Sequence, residues 1–136
     1  SLEDTIQFLQ EHGCASEAVW PRSKGFRATP SAEAVEDAKQ YRLLEWIEVG
    51  DKAMFGTCLL LSIPVYYWYD SHAVLAVKPL DTLRFVYKNS WGEWGDNGCG
   101  TMSYRSIGQG AYGILSPTWA ADKVALLRKY TMNVVA

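Results

Sequence analysis

Two neighbouring stretches decide how this chain is read: Ser71-His72-Ala73-Val74-Leu75-Ala76-Val77 and Lys88-Asn89-Ser90-Trp91-Gly92-Glu93-Trp94-Gly95-Asp96-Asn97-Gly98. A histidine at the head of an apolar strand is held by its neighbours, while its ring nitrogens can still face a cleft. An amide at the end of the next strand can accept from one ring N–H and so set the tautomer. The second nitrogen is then free to take a proton from a nucleophile, the orienter-and-base relation of catalytic triads. Each piece alone has a plainer reading. A lone histidine on an apolar strand is more often a satisfied core residue, and tryptophans in a glycine loop more often serve packing.

Working outward, His72 to Lys78 and Leu83 to Lys88 are rich in Val, Leu, Phe and Tyr, with a turn at Pro79, Leu80, Asp81 and Thr82, which predicts a hairpin. Pro64 opens a preceding strand through Tyr69, since proline is tolerated as a first strand residue. Asp70 is read as a turn residue between these strands. Asp51 caps a helix running to about Leu61, and Tyr41 to Val49 suits a strand with one solvated face. Further upstream, Ser31 caps a short helix to Gln40 whose Glu33, Glu36 and Asp37 form a solvated face, and Trp20 to Pro30 is a surface loop. Ser1, with Glu3 and Asp4 behind it, starts a helix with Leu2, Ile6 and Leu9 on one side and Gly13 as its stop. Downstream, the glycine-rich block from Asn89 to Gly100 excludes regular structure. Short strands follow near Thr101 to Tyr104 and Tyr112 to Leu115. Val124 to Val135 fits either strand or helix. The sum is a single α+β domain over residues 1–136, a helix followed by a mostly antiparallel, barrel-like sheet.

Composition sets the outer bounds. Hydrophobic residues make up 49% and charged residues 21% of 136 residues, enough for one cored domain. Thirteen basic and fifteen acidic residues are interleaved, with no basic face for nucleic acid. The apolar run from Ala53 to Tyr69 is broken by Gly56, Thr57, Ser62 and Pro64, so it reads as a buried helix and strand and not as a membrane span. Cys14, Cys58 and Cys99 are odd in number and sparse, which leans toward a reducing, intracellular setting or a virion over a disulfide scaffold. No CxxC or Cys/His cluster has metal-ligand spacing, so zinc is not expected.

The order "HAV" and then "KNSWGxWGxxG" resembles the papain-like cysteine peptidases, thiol proteases in which a histidine and an asparagine complete a Cys-His-Asn triad. That resemblance implies His72 as catalytic base and Asn89 as its orienting partner. It implies Trp91 as a cover over their hydrogen bond and Trp94 as packing beneath the glycine loop. Leu2 to Gly13, ahead of Val19-Trp20-Pro21, is similar to the family's helix before a Tyr-Pro segment. Cys58 to Val65, reading CLLLSIPV, is similar to its helix before a Pro-Val strand. The likeness runs in order over residues 1 to 105. The short link from Pro64 to His72 resembles compact bacterial and bacteriophage members, and NSWGEWG is one residue shorter than the common form.

By the same resemblance the nucleophile belongs in a Gln…Cys-x-x-Cys/Ser-Trp context about 130–150 residues ahead of the histidine and asparagine. Only 71 residues precede His72, so roughly 60–80 residues carrying Cys and Gln are expected upstream. Cys58 lies in an apolar helix where a thiol is inert, and Cys14 and Cys99 lack the flanking Gln or Trp. The expected whole is therefore a cysteine peptidase acting on peptides, and that mechanism implies no metal or organic cofactor. This chain is its His/Asn half, inactive alone, and an upstream or separate polypeptide supplies the nucleophile. That polypeptide, or a partner subunit, is expected to cover an exposed apolar face. The alternative is a non-catalytic structural or binding module of a larger assembly such as a virion, with Tyr66-Tyr67-Trp68-Tyr69 at an interface or glycan surface.

Overall fold

The computed structural model describes residues 1–108 and 110–115; the expectation for Val124 to Val135, and the part of the single-domain reading beyond residue 115, lie outside the described residues. Helix α1 spans Leu2–Glu11, and Ser1 Oγ accepts the Asp4 N–H at 3.1 Å. Leu2 and Ile6, one turn apart, are its buried residues. The helix stops at Gly13, whose φ of +76° favours glycine, and where a Cβ would overlap the Ala38 carbonyl. Helix α2 spans Ala32–Ala38, capped as expected by Ser31 Oγ on the Ala34 N–H. Glu33 and Glu36 are exposed, but Asp37 is half-buried and accepts the Ser16 N–H at 2.7 Å, so it is a tether and not part of a solvated face.

Strand β1 covers only Glu45–Glu48, shorter than the expected Tyr41 to Val49. Lys39–Tyr41 is a 3-10 turn, and the Leu43 N–H reaches back to the Leu9 carbonyl of α1. The chain there docks on a helix end, which competes with sheet pairing until Leu44 bonds to Leu115 at 2.7 Å. Helix α3 spans Lys52–Leu60, with Asp51 Oδ1 accepting the Met54 N–H. It buries Phe55, Cys58 and Leu59.

Strands β2 (Val65–Tyr69), β3 (His72–Pro79), β4 (Arg84–Lys88), β5 (Cys99–Ser103) and β6 (Ala111–Leu115) complete a six-stranded antiparallel sheet in the order β1-β6-β2-β3-β4-β5. The α+β expectation holds. The sheet is open, however: β1 and β5 are its edges and do not pair with each other among the described residues, so it does not close into a barrel.

Alternation along the strands gives the sheet two covered faces. Val65, Tyr67, Val74, Ala76, Phe85, Ala111 and Leu115 pack with Phe55, Cys58 and Leu59 of α3. Phe55 is fully buried against Phe85 at 5.0 Å and edge-on to Tyr67 at 5.5 Å between centroids. Truncating such a ring to alanine costs about 3–5 kcal/mol. On the opposite face Leu2 and Ile6 of α1 meet Tyr66, Trp46, Ala73 and Tyr112. The Tyr112 hydroxyl donates to Glu3 Oε1 at 2.7 Å and fastens α1 to β6.

Candidate active site

The site lies at one end of the α3 face. Strands β2 and β3 are joined by Asp70 and Ser71 alone, both with positive φ (44° and 62°), the geometry of a two-residue type I′ turn. Asp70 is thus the turn residue it was read as. The turn sets His72 opposite Tyr69, and alternation puts its half-buried ring on the face of Val74 and Ala76. Asn89 follows the last residue of β4. Continuing the register one step past the Leu75–Lys88 pair sets Asn89 opposite Val74, which makes His72 its diagonal neighbour.

The two side chains meet: His72 Nε2 lies 2.7 Å from Asn89 Oδ1. The Ser90 backbone N–H donates to the same atom at 2.8 Å, which identifies it as the amide oxygen. An oxygen acceptor requires Nε2 to carry a hydrogen, so in the neutral ring Nδ1 keeps its lone pair. Nδ1 has no protein partner among the described residues, and a proton donor brought to it meets a general base. Asn89 is 7% exposed, the one buried polar residue alongside the core among the described residues.

The loop after Asn89 is closed on itself. The Asn89 N–H donates to the Gly98 carbonyl at 2.8 Å, and Lys88 Nζ donates to the Asn97 carbonyl at 2.7 Å. Asp96 and Cys99 exchange backbone bonds of 3.0 and 2.9 Å. Gly95 (φ +65°) cannot carry a Cβ without overlapping the Cys99 carbonyl. Within this frame Trp91 stacks on the His72 ring at 5.1 Å and 24°. Trp94 stands edge-on to Trp91 at 5.3 Å and rests against Tyr87 at 6.1 Å. Both indoles remain substantially exposed.

The four residues singled out in the sequence therefore come together. The supports from Lys88, Ser90 and Gly98 went unread, because a lysine ending a strand and a backbone N–H leave no sequence signal. Cys58 is fully buried in α3, and burial pushes its thiol up to about 11. Cys14 is exposed just beyond α1, and Cys99 begins β5 opposite Lys88. All three are free thiols, and none bonds to His72 among the described residues. No cluster of three potential metal ligands occurs among the described residues.

The fold so defined is that of the papain-like cysteine proteases. Xylellain, a cysteine protease from Xylella fastidiosa, is 24% identical with a TM-score of 0.63, over 84% of this chain and 60% of that one. A structure from work on antibody cross-reactivity between the mite allergens Blo t 1 and Der p 1 is 17% identical with a TM-score of 0.53, over 82% of this chain and 46% of that one. This chain thus spans about half to three-fifths of the length of these neighbours. Neither a protein-family profile nor a curated protein sequence matches it.

Proposed function

We propose that this chain contributes the catalytic base and its orienting amide to a cysteine peptidase whose nucleophile comes from a segment outside residues 1–136 or from a partner subunit. The observation that carries the reading is the 2.7 Å contact between His72 Nε2 and Asn89 Oδ1, which leaves Nδ1 open. Xylellain's description as a cysteine protease supports it. In the proposed reaction Nδ1 takes the thiol proton, and the resulting thiolate–imidazolium pair attacks a peptide carbonyl. The imidazolium then protonates the leaving amine. Water, deprotonated by the same nitrogen, hydrolyses the thioester and returns the thiol. Asn89 holds the ring throughout, and Trp91 keeps water from one face of the imidazole. The incoming segment also supplies the oxyanion-hole glutamine and covers exposed apolar side chains such as Phe8, Val35 and Leu44.

The test is an electrophilic peptide probe applied to the full-length polypeptide, with the modified residue mapped by mass. Labelling of a cysteine outside residues 1–136, abolished by His72→Ala, is the expected result. Equal labelling in wild type and His72→Ala would refute the proposal.

One observation favours a second reading, a non-catalytic binding module: none of the three thiols here bonds to His72. No probe-reactive cysteine in the full-length polypeptide, together with a stable complex with another protein, would decide for it.

A further inference from the structure

The loop between α1 and α2 concentrates positive charge. Residues 18–32 hold Arg22, Lys24 and Arg27 and no acidic residue, in a chain whose net charge is -2. None of the three cations forms an ion pair among the described residues. Glu17, at the foot of the loop, accepts the Arg22 backbone N–H at 2.8 Å. Trp20 is half-buried there, and Lys24 Nζ stands 5.7 Å over its ring. The 3-10 turn Arg22–Lys24 ends at Gly25, whose φ of +74° favours glycine, and the chain then reaches Phe26. Phe26 is 93% exposed, more than any other large hydrophobic side chain among the described residues. The Arg27 guanidinium lies 5.5 Å over its ring.

A lone ring among cations suits one kind of partner better than others. A protein interface is built on a contiguous core depleted of charge, and every residue from 22 to 33 here is exposed, with Phe26 set between Gly25 and Arg27. A nucleic-acid site needs a basic face, and this chain carries more acid than base. A bilayer surface accepts a single ring at the acyl boundary, while neighbouring Arg and Lys heads stay at the level of the phosphates. Negative lipid charge supplies the counter-charge that the three cations lack within the fold.

We infer that the loop from Arg22 to Thr29 docks this protein peripherally on an anionic phospholipid surface. Phe26 enters the acyl boundary, and Arg22, Lys24 and Arg27 meet the headgroup phosphates. One phenyl ring and three cations give a weak, reversible attachment that salt screens.

Co-sedimentation of the full-length polypeptide with vesicles tests this, using phosphatidylcholine alone and an equal mixture of phosphatidylcholine and phosphatidylglycerol. Binding to the mixed vesicles is expected to be at least about tenfold stronger at low salt, and to fall as salt is raised. Phe26→Ser should weaken it by about tenfold. Arg22→Gln, Lys24→Gln and Arg27→Gln together should remove the preference for the anionic lipid. All four side chains are exposed, so the unfolding midpoint of each variant should match wild type. The readout needs no peptidase activity. Absence of binding to the mixed vesicles, equal binding to both kinds, or undiminished binding of Phe26→Ser would each overturn the inference. So would capture of an acidic peptide by the loop without vesicle binding.

Discussion

Oδ1 of Asn89 accepts two hydrogen bonds at once, from His72 Nε2 at 2.7 Å and from the Ser90 backbone N–H at 2.8 Å. The second bond fixes which end of the amide faces the ring, so the tautomer of His72 is decided by the backbone of a residue 18 positions away. Asn89→Ala removes the acceptor from both donors. On the proposed peptidase reading, it is expected to lower kcat/KM of the full-length polypeptide by about 10- to 100-fold. Nitrogen chemical shifts of His72 should change from a single Nε2–H form in the wild type to a mixture of tautomers. Asn89→Asp keeps an acceptor at the same place and should preserve the Nε2–H form. A single Nε2–H form persisting in Asn89→Ala would contradict the account.

The loop that carries Trp91 depends on glycine at two turns. At Gly95 a Cβ overlaps the Cys99 carbonyl, a backbone atom with little room to move, and at Gly98 it comes within 2.6 Å of the Gly92 carbonyl. Both residues also have positive φ. Gly95→Ala is expected to destabilise by about 2 kcal/mol or more, read as a lower denaturant midpoint at unchanged slope. The His72–Trp91 stacking should loosen with it, visible as changed indole fluorescence in the variant.

Positive φ is also carried by non-glycine residues where β2 turns into β3. Asp70 and Ser71 occupy positions where type I′ turns favour Asn-Gly. Asp70→Asn with Ser71→Gly is therefore expected to stabilise the hairpin by about 0.5–1 kcal/mol. The proposed peptidase activity should be retained, because His72 keeps its register. A loss of stability in thermal unfolding would show that the Asp70 or Ser71 side chain matters beyond the turn.

Thiol chemistry separates the three cysteines. Cys14 should alkylate readily near pH 8, whereas Cys58, pushed up to about 11 by burial, should label only on unfolding. Between the ordinary thiol value of 9.0 and about 11 the unfolded chain releases the Cys58 proton while the folded chain keeps it. The stability contributed by the buried neutral thiol is thus fully present below about pH 9 and is lost as pH rises toward 11. Tyr112 acts in the same direction, because its bond to Glu3, then burial, push it up to about 12. Unfolding curves at pH 8 and pH 10 should show the fall. Cys58→Ala should be less stable than wild type at pH 8 and should lose less between the two pH values. An equal loss in both proteins would rule out the Cys58 contribution.

Caps and turns were legible because their chemistry is local. Ser1, Ser31 and Asp51 each present an oxygen to an N–H three residues on, and the helices start where those residues stand. The α+β class and the hairpin bearing His72 followed from strand composition and from Pro64. Tyr41 to Val49 misled for the opposite reason. Its residues suit a strand, yet the Leu43 N–H bonds to the end of α1, a contact 34 residues away in sequence that no local propensity records. Asp37 looked like one acid among three on a solvated helix until the chain at Ser16 returned to it.

The pairing of His72 with Asn89 divides in the same way. Residue type and order along the chain determined which side chains were candidates, since an imidazole and an amide on successive strands are able to act as base and orienter, and their phrasing, HAV and then KNSWGxWGxxG, resembles the papain-like pattern. Tertiary structure decided that they meet. The bulge between Ala76 and Lys78 shifts the register of β3 against β4, and Gly98 closes the loop on the backbone of Asn89. Both place Asn89 diagonally from His72. It likewise decided that, among the described residues, the sheet stays open and Arg42 Nε is buried without an acceptor. Pairing and packing between distant residues depend on distances in space, and a sequence specifies these only through the whole fold.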